Sequence, residues 1–120
     1  MSILIRLLIN AAALFVATRL VNGIEFKGTP MALLGVALVF AIVNTFVKPI
    51  ISFFSLPFIF VTLGLFLLVI NAVMLMVTSG LSRSLGLGFS VRGFGAAVLG
   101  SIVVSLTSLV LGAFLDGAKD

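Results

Sequence analysis

Four long apolar runs, near residues 3 to 22, 31 to 48, 58 to 79 and 94 to 114, limit what this chain can fold into more than any other feature. Crossing the ~30 Å hydrocarbon core of a bilayer as a helix takes about 20 apolar residues in succession. Each run approaches or meets that length, and four crossings use nearly all of the 120 residues. Hydrocarbon offers the backbone no water to bond, so such runs become helices that satisfy their own N–H and C=O groups. The sequence thus predicts an all-α membrane protein with four transmembrane helices, arranged as two tandem helical hairpins in a single integral membrane domain, 1–120.

Composition then removes whole classes of chemistry. The chain has no His, Cys, Trp or Tyr, and its only carboxylates, Glu25, Asp116 and Asp120, lie outside the apolar runs. General acid–base catalysis draws mostly on His or on shielded carboxylates, and metal sites draw on His, Cys and carboxylate clusters. A hydroxyl nucleophile needs an activating base beside it, for which Lys48 is the one intramembrane choice. The reading is a non-enzyme with no catalytic residues, no metal site and no cofactor.

The net charge of +4 does not point to nucleic acid, because the basic residues stand singly at run ends instead of clustering. Lys and Arg at such positions snorkel to lipid headgroups, so the partner they indicate is the bilayer. The first run is read as an uncleaved span, since Arg19 and Asn22 follow it where a signal peptide would carry a small-residue cleavage site. Four single crossings put Arg6, Lys48 and Lys119 on one side and Arg19, Lys27, Arg83 and Arg92 on the other. Three against four gives no orientation by the positive-inside rule.

Pro49 and Pro57 bound a short piece, PIISFFSLP, between the second and third runs. Proline lacks the N–H and clashes with the preceding turn, so the second helix is expected to end at Lys48. A nine-residue helix spans only about 13 Å, too little for a fifth crossing. Residues 49–57 are therefore expected to lie in the interface or to re-enter from the side of the termini, or else to form a kinked N-terminal extension of the third helix.

Laid over itself at an offset of a little over 60 residues, the chain matches Ile9-Asn10-Ala11 with Ile70-Asn71-Ala72, Phe26 with Phe89, and Leu34-Gly35 with Leu99-Gly100. Such matches point to an internal repeat, here 3–48 and 58–114 flanking the short 49–57 piece; the alternative is chance matching between two apolar stretches. Because that piece does not cross, the halves share one orientation, as in parallel transporter repeats.

Lipid tails are as apolar as Leu, so helices associate in a membrane through small residues and interhelical hydrogen bonds. Ala97, Ser101, Ser105, Ser108 and Gly112 recur at spacings of four, four, three and four, which places them on one stripe of the fourth helix. Arg6, Asn10, Ala13 and Ala17 share a face of the first helix, and Ala37, Ala41, Asn44 and Lys48 a face of the second. The antiparallel course of these two helices brings Arg6 and Asn10 level with Asn44 and Lys48. Intramembrane ionisable and amide groups are uncommon enough to mark function, so Arg6, Asn10, Asn44, Lys48 and Asn71 form a candidate polar cluster. The alternatives are snorkelling for the cations and interhelical hydrogen bonding for the amides. One small-residue stripe is expected to pack within the monomer and another, that of Ala37 and Ala41, between copies of a homo-oligomer.

The run Asn44-Thr45-Phe46-Val47-Lys48-Pro49-Ile50, then Leu56-Pro57, Thr62-Leu63-Gly64-Leu65-Phe66, Ile70-Asn71-Ala72 and Gly93-Phe94-Gly95-Ala96-Ala97 resembles the bacterial four-helix membrane proteins of the phage holin family, superfamily IV. The resemblance extends over nearly the whole chain. It implies a small multi-pass protein of the bacterial inner membrane and a holin-like function, in which oligomers open pores or lesions. The alternative is a non-pore structural membrane protein of envelope maintenance or stress tolerance. A proton-coupled exporter is disfavoured, because no intramembrane Asp, Glu or His is present to carry the proton.

Overall fold

In the computed structural model, which describes residues 2–119 and side chains through Leu115, each of the first two spans begins at a side-chain cap. The Ser2 hydroxyl accepts from the Ile5 N–H at 3.2 Å and opens helix α1, Ile3–Leu20. Thr29 accepts from Ala32 N–H at 3.1 Å, with Pro30 in the first turn where its missing donor is harmless. Between them runs strand β1, Ile24–Phe26. Helix α2, Pro30–Phe54, is followed by the short helix α3, Leu56–Val61, by helix α4, Phe66–Ser84, by strand β2, Phe89–Val91, and by helix α5, Phe94–Lys119. Helices α1, α2, α4 and the Phe94–Leu115 part of α5 are long and apolar enough to cross a membrane. The side chains of Lys119, which entered the charge count, and of the carboxylates Asp116 and Asp120 lie outside the described residues.

The helices close a ring: α1 packs against α2 and α5, and α4 against α5 and α2. Strand β1 connects α1 to α2, strand β2 connects α4 to α5, and the two strands pair antiparallel with Ile24 opposite Val91, Glu25 opposite Ser90 and Phe26 opposite Phe89. Both connections therefore lie at one end of the bundle, the sheet end. Two flanking bonds lengthen the ladder, Lys27 N–H to Gly88 C=O at 2.9 Å and Arg92 N–H to Gly23 C=O at 2.7 Å. So short a ribbon is marginal alone. It is held by Ile24 and Phe89, which are buried in the bundle, and by Ser79 of α4, whose hydroxyl accepts from Val91 N–H at 2.9 Å.

The core sits beneath this ribbon. Ala13, Leu14 and Ala17 of α1, Val36 and Ala37 of α2, Leu75 of α4 and Val104 of α5 pack with Phe89 in one buried cluster. Gly100 sets the closeness of α5, because a Cβ there would stand 2.2 Å from Ile24 Cδ1 and 3.0 Å from Leu75 Cδ2. Gly88 is required in the ladder for a different reason. Its φ of +83° is disfavoured for side-chain-bearing residues, and a Cβ would lie 2.1 Å from the Lys27 carbonyl oxygen.

The region around Pro49 departs from the sequence expectation. Helix α2 does not end at Lys48 but runs on to Phe54, and residues 49–54 extend the second helix, not the third. The reason is a π turn at Val43–Val47, in which Lys48 N–H bonds the Val43 carbonyl five residues back. Placed just before Pro49, this wider turn takes up the missing donor and makes room for the ring. The side chains then serve nearby carbonyls: Asn44 Nδ2 donates to Phe40 O at 2.8 Å and Thr45 Oγ1 to Ala41 O at 2.7 Å. The short connecting piece accordingly shifts to residues 55–65, and the third span starts at Phe66 instead of 58. Thr62 organises that start, its hydroxyl donating to Phe58 O at 2.8 Å and accepting from Phe66 N–H at 2.9 Å.

Twenty-five residues of helix are about 37 Å long, against about 27 Å for the eighteen of α1. The C-terminal part of α2 thus projects past the start of α1. Phe53 and Phe54 of this extension, Phe58, Phe60 and Val61 of α3 and Leu63 in the turn after it are all exposed.

Candidate functional site

At the end opposite the sheet the four helices part around a polar cavity of about 250 Å³. Helix α1 contributes Asn10, α2 contributes Phe40, Asn44 and Lys48, α4 contributes Asn71 and Leu75, and α5 contributes Ser101, Val104, Ser105 and Ser108. Helical periodicity explains the convergence. Asn44 and Lys48 lie four apart, Ser101, Ser105 and Ser108 four and three apart, so each helix turns one polar stripe to the same space. Leu75 and Val104 also belong to the buried core, whose fully buried Ala13, Leu14, Val36, Ala37 and Phe89 lie on the sheet side of the cavity.

Four of the five residues of the polar cluster thus meet in one place, together with three of the five residues of the α5 stripe. Arg6 does not join them. It lies in a neighbouring groove of about 360 Å³ between α1 and α2, with Ile3, Leu7, Leu38, Ala41 and Thr45, and Asn10 and Asn44 border both spaces. The α5 stripe divides by depth: Ala97 and Ser101 are buried, Ser105 is exposed, and a Cβ on Gly112 would meet nothing within 4 Å. Ala37, assigned to packing between copies, is fully buried within the monomer. Phe40, Leu75 and Val104 were missed as lining residues. Each sits three or four positions from a polar member, Asn44, Asn71 or Ser101, and that spacing was the available signal.

The hydrogen-bonding state of the lining is uneven. Ser101 Oγ donates to Val98 O at 2.9 Å and Asn44 donates to its own helix, which uses one of its two amide hydrogens. Among the described residues, Asn10, Asn71, Ser105 and Ser108 have no side-chain hydrogen bond to protein, and the lining has one cation, Lys48, and no carboxylate. The amides and hydroxyls of the lining can donate or accept, and its one formal charge is the Lys48 ammonium. The one ion pair among the described residues, Arg92 with Glu25, is at the sheet end and largely exposed. It adds nothing to the cavity.

The surrounding family is consistent with this architecture. Residues 1–110 match the family described as mycobacterial 4 TMS phage holin, superfamily IV. The uncharacterized protein SCO3922 of Streptomyces coelicolor is 46% identical over 120 residues, 95% of this chain and 96% of that protein. The uncharacterized membrane protein YvlD of Bacillus subtilis is 36% identical over 107 residues, 89% of this chain and 87% of that protein. No solved structure gives a significant match. The match over residues 1–110, the two relatives and the four apolar helices agree: the chain belongs to the four-TMS phage holin family, superfamily IV, and is a multi-pass protein of the cell membrane.

Proposed function

We propose that this protein is a non-catalytic membrane protein of envelope maintenance whose working part is a one-ended polar vestibule, and that a single copy is not a conduit. The observation that carries the reading is the packed core between the polar cavity and the sheet end, where Ala13, Leu14, Val36, Ala37 and Phe89 are all fully buried. The small-residue faces support it as well, since Ala37 and Ala97 are fully buried inside one bundle and are not free to join copies. Composition supports the absence of catalysis, with neither His nor Cys available as acid, base or nucleophile.

Controlled expression in a bacterial host, followed with a membrane-impermeant DNA dye and a membrane-potential probe, tests this reading. Growth without dye entry, at confirmed membrane abundance, is the expected result. Abrupt dye entry after a lag overturns it in favour of holin-like lesions.

The lesion reading draws on family membership and on the exposed apolar surface of Phe53, Phe54, Phe58 and Phe60. It requires a homo-oligomer, because four short helices enclose too little to pass an enzyme. Crosslinking in native membranes that captures only monomer removes its physical basis. The cross-strand pairing of Phe26 with Phe89, and the shared cavity of Asn10 and Asn71, favour descent of the two halves from one duplicated hairpin.

A further inference from the structure

We infer that the vestibule binds an oxyanion of the phosphate class, through Lys48 and the amides of Asn10, Asn44 and Asn71, with Ser105 and Ser108 as further donors. The inference rests on the vestibule reading above and adds to it the chemistry of the guest. Lys48 supplies a point charge with three donors, each free amide two N–H groups and each serine hydroxyl one. Hydrogen bonds from a cation to an anionic oxygen are about twice as strong as neutral ones. These donors approach from all four helices, which suits an anion with oxygens on several sides better than a flat or linear one.

Asn10 and Asn71 are half-buried, with amides that reach the open space of the vestibule. Amide groups within membrane depth that find no protein partner need another one, and Asn10 and Asn71 find none among the described residues. The volume of about 250 Å³ leaves room for a phosphate group with part of what it is attached to.

The position fits a lipid headgroup as well as a free anion. Lys48 lies six residues before the end of α2, about 9 Å along the axis. It therefore sits near the level where α1 begins and the apolar Phe53 to Leu63 surface spreads outward. A phosphodiester held there would keep its acyl chains beside that apolar surface.

The test uses the purified full chain in a neutral maltoside detergent, at fixed ionic strength, with thermal unfolding as readout, since a ligand that binds only the folded state raises Tm with its concentration. Inorganic phosphate, short-chain phosphatidylglycerol and the diacylglycerol with the same acyl chains are titrated in parallel. A saturable rise with phosphatidylglycerol alone identifies a headgroup, and a rise with inorganic phosphate identifies a free oxyanion; either supports the inference. Lys48→Gln and Asn71→Ala should each weaken the apparent affinity at least about tenfold, equivalent to about 1.4 kcal/mol. Lys48→Arg should keep the response, which separates loss of charge from loss of fold, and Lys27→Gln at the sheet end should behave as the natural chain. A response to diacylglycerol equal to that of phosphatidylglycerol, no response to either phosphate probe, or an unchanged affinity in Lys48→Gln overturns it. Dye leakage on expression bears only on the reading beneath it.

Discussion

At the sheet end of the bundle, Ala13, Leu14, Ala17, Val36, Ala37 and Phe89 leave no exposed surface, whereas at the opposite end Asn10, Asn44, Lys48 and Asn71 remain half-buried around open space. The same four helices form both regions, so helix propensity does not separate them. Residue size and the connections do. Alanines and Gly100 let the backbones approach beneath the ribbon, and two short connections tied by a hydrogen-bond ladder hold them there. At the other end α2 and α4 still close on Val43, Ile70 and Met74, the amides, the lysine and the serines border open space, and the one connection is residues 55–65, of which Ile59 packs on that cluster. Packing in a bilayer is governed by how closely backbones can meet, and one molecule shows both outcomes.

The contrast is most exposed to attack at Phe89. Phe89→Ala should destabilise by about 3–5 kcal/mol, read by unfolding in detergent, because the ring fills the space under the ribbon and nothing nearby is free to collapse. A loss below about 1 kcal/mol would mean that the sheet end is not the rigid part.

Gly100→Val tests the close approach of α5. A side chain there must displace Ile24 and Leu75, and overpacking of this kind costs roughly 1–3 kcal/mol. The same change at Gly112, where a Cβ meets open space, should be near neutral and so separates the two halves of one helix stripe.

Glu25→Gln removes the Arg92 partner at the rim of the ribbon. Because the pair is largely exposed, the loss should be about 0.2–1 kcal/mol and should fade with added salt. A salt-independent effect would show the pair to be coupled to the core.

Ser105→Ile is the smallest expected effect on stability, within about 0.5 kcal/mol, since Ser105 is exposed and lines the vestibule. It should nevertheless reduce the response to phosphate probes by filling the cavity. A large loss of stability instead would place Ser105 in a packing seam, as its spacing alone predicts.

Several parts of this architecture were legible in the residues. Helix spacing placed Asn44 with Lys48 and Ser101 with Ser105 and Ser108 on common faces, and antiparallel spans put Asn10 level with Asn44. Arg6 lines the adjoining groove, because levels along a bundle follow from sequence but angles around it do not. Pro49 was read as a helix end because an α-helix does not tolerate it, and a π turn five residues long carries no strong local signal. The β1–β2 ribbon was not anticipated at all, since its strands are three residues each and pair across 63 positions of chain between Phe26 and Phe89.

By itself, then, the sequence determined the solvent and the secondary structure: unbroken apolar runs of about 20 residues cross hydrocarbon as helices, which bond their backbone groups within each segment. It determined the polar faces too, because a period of 3.6 residues is a local property. Only the tertiary structure decided which faces meet. That choice depends on the ring order of the helices, the ribbon that fixes one end and the close contact at Gly100, all of which are set by contacts between residues far apart in the chain.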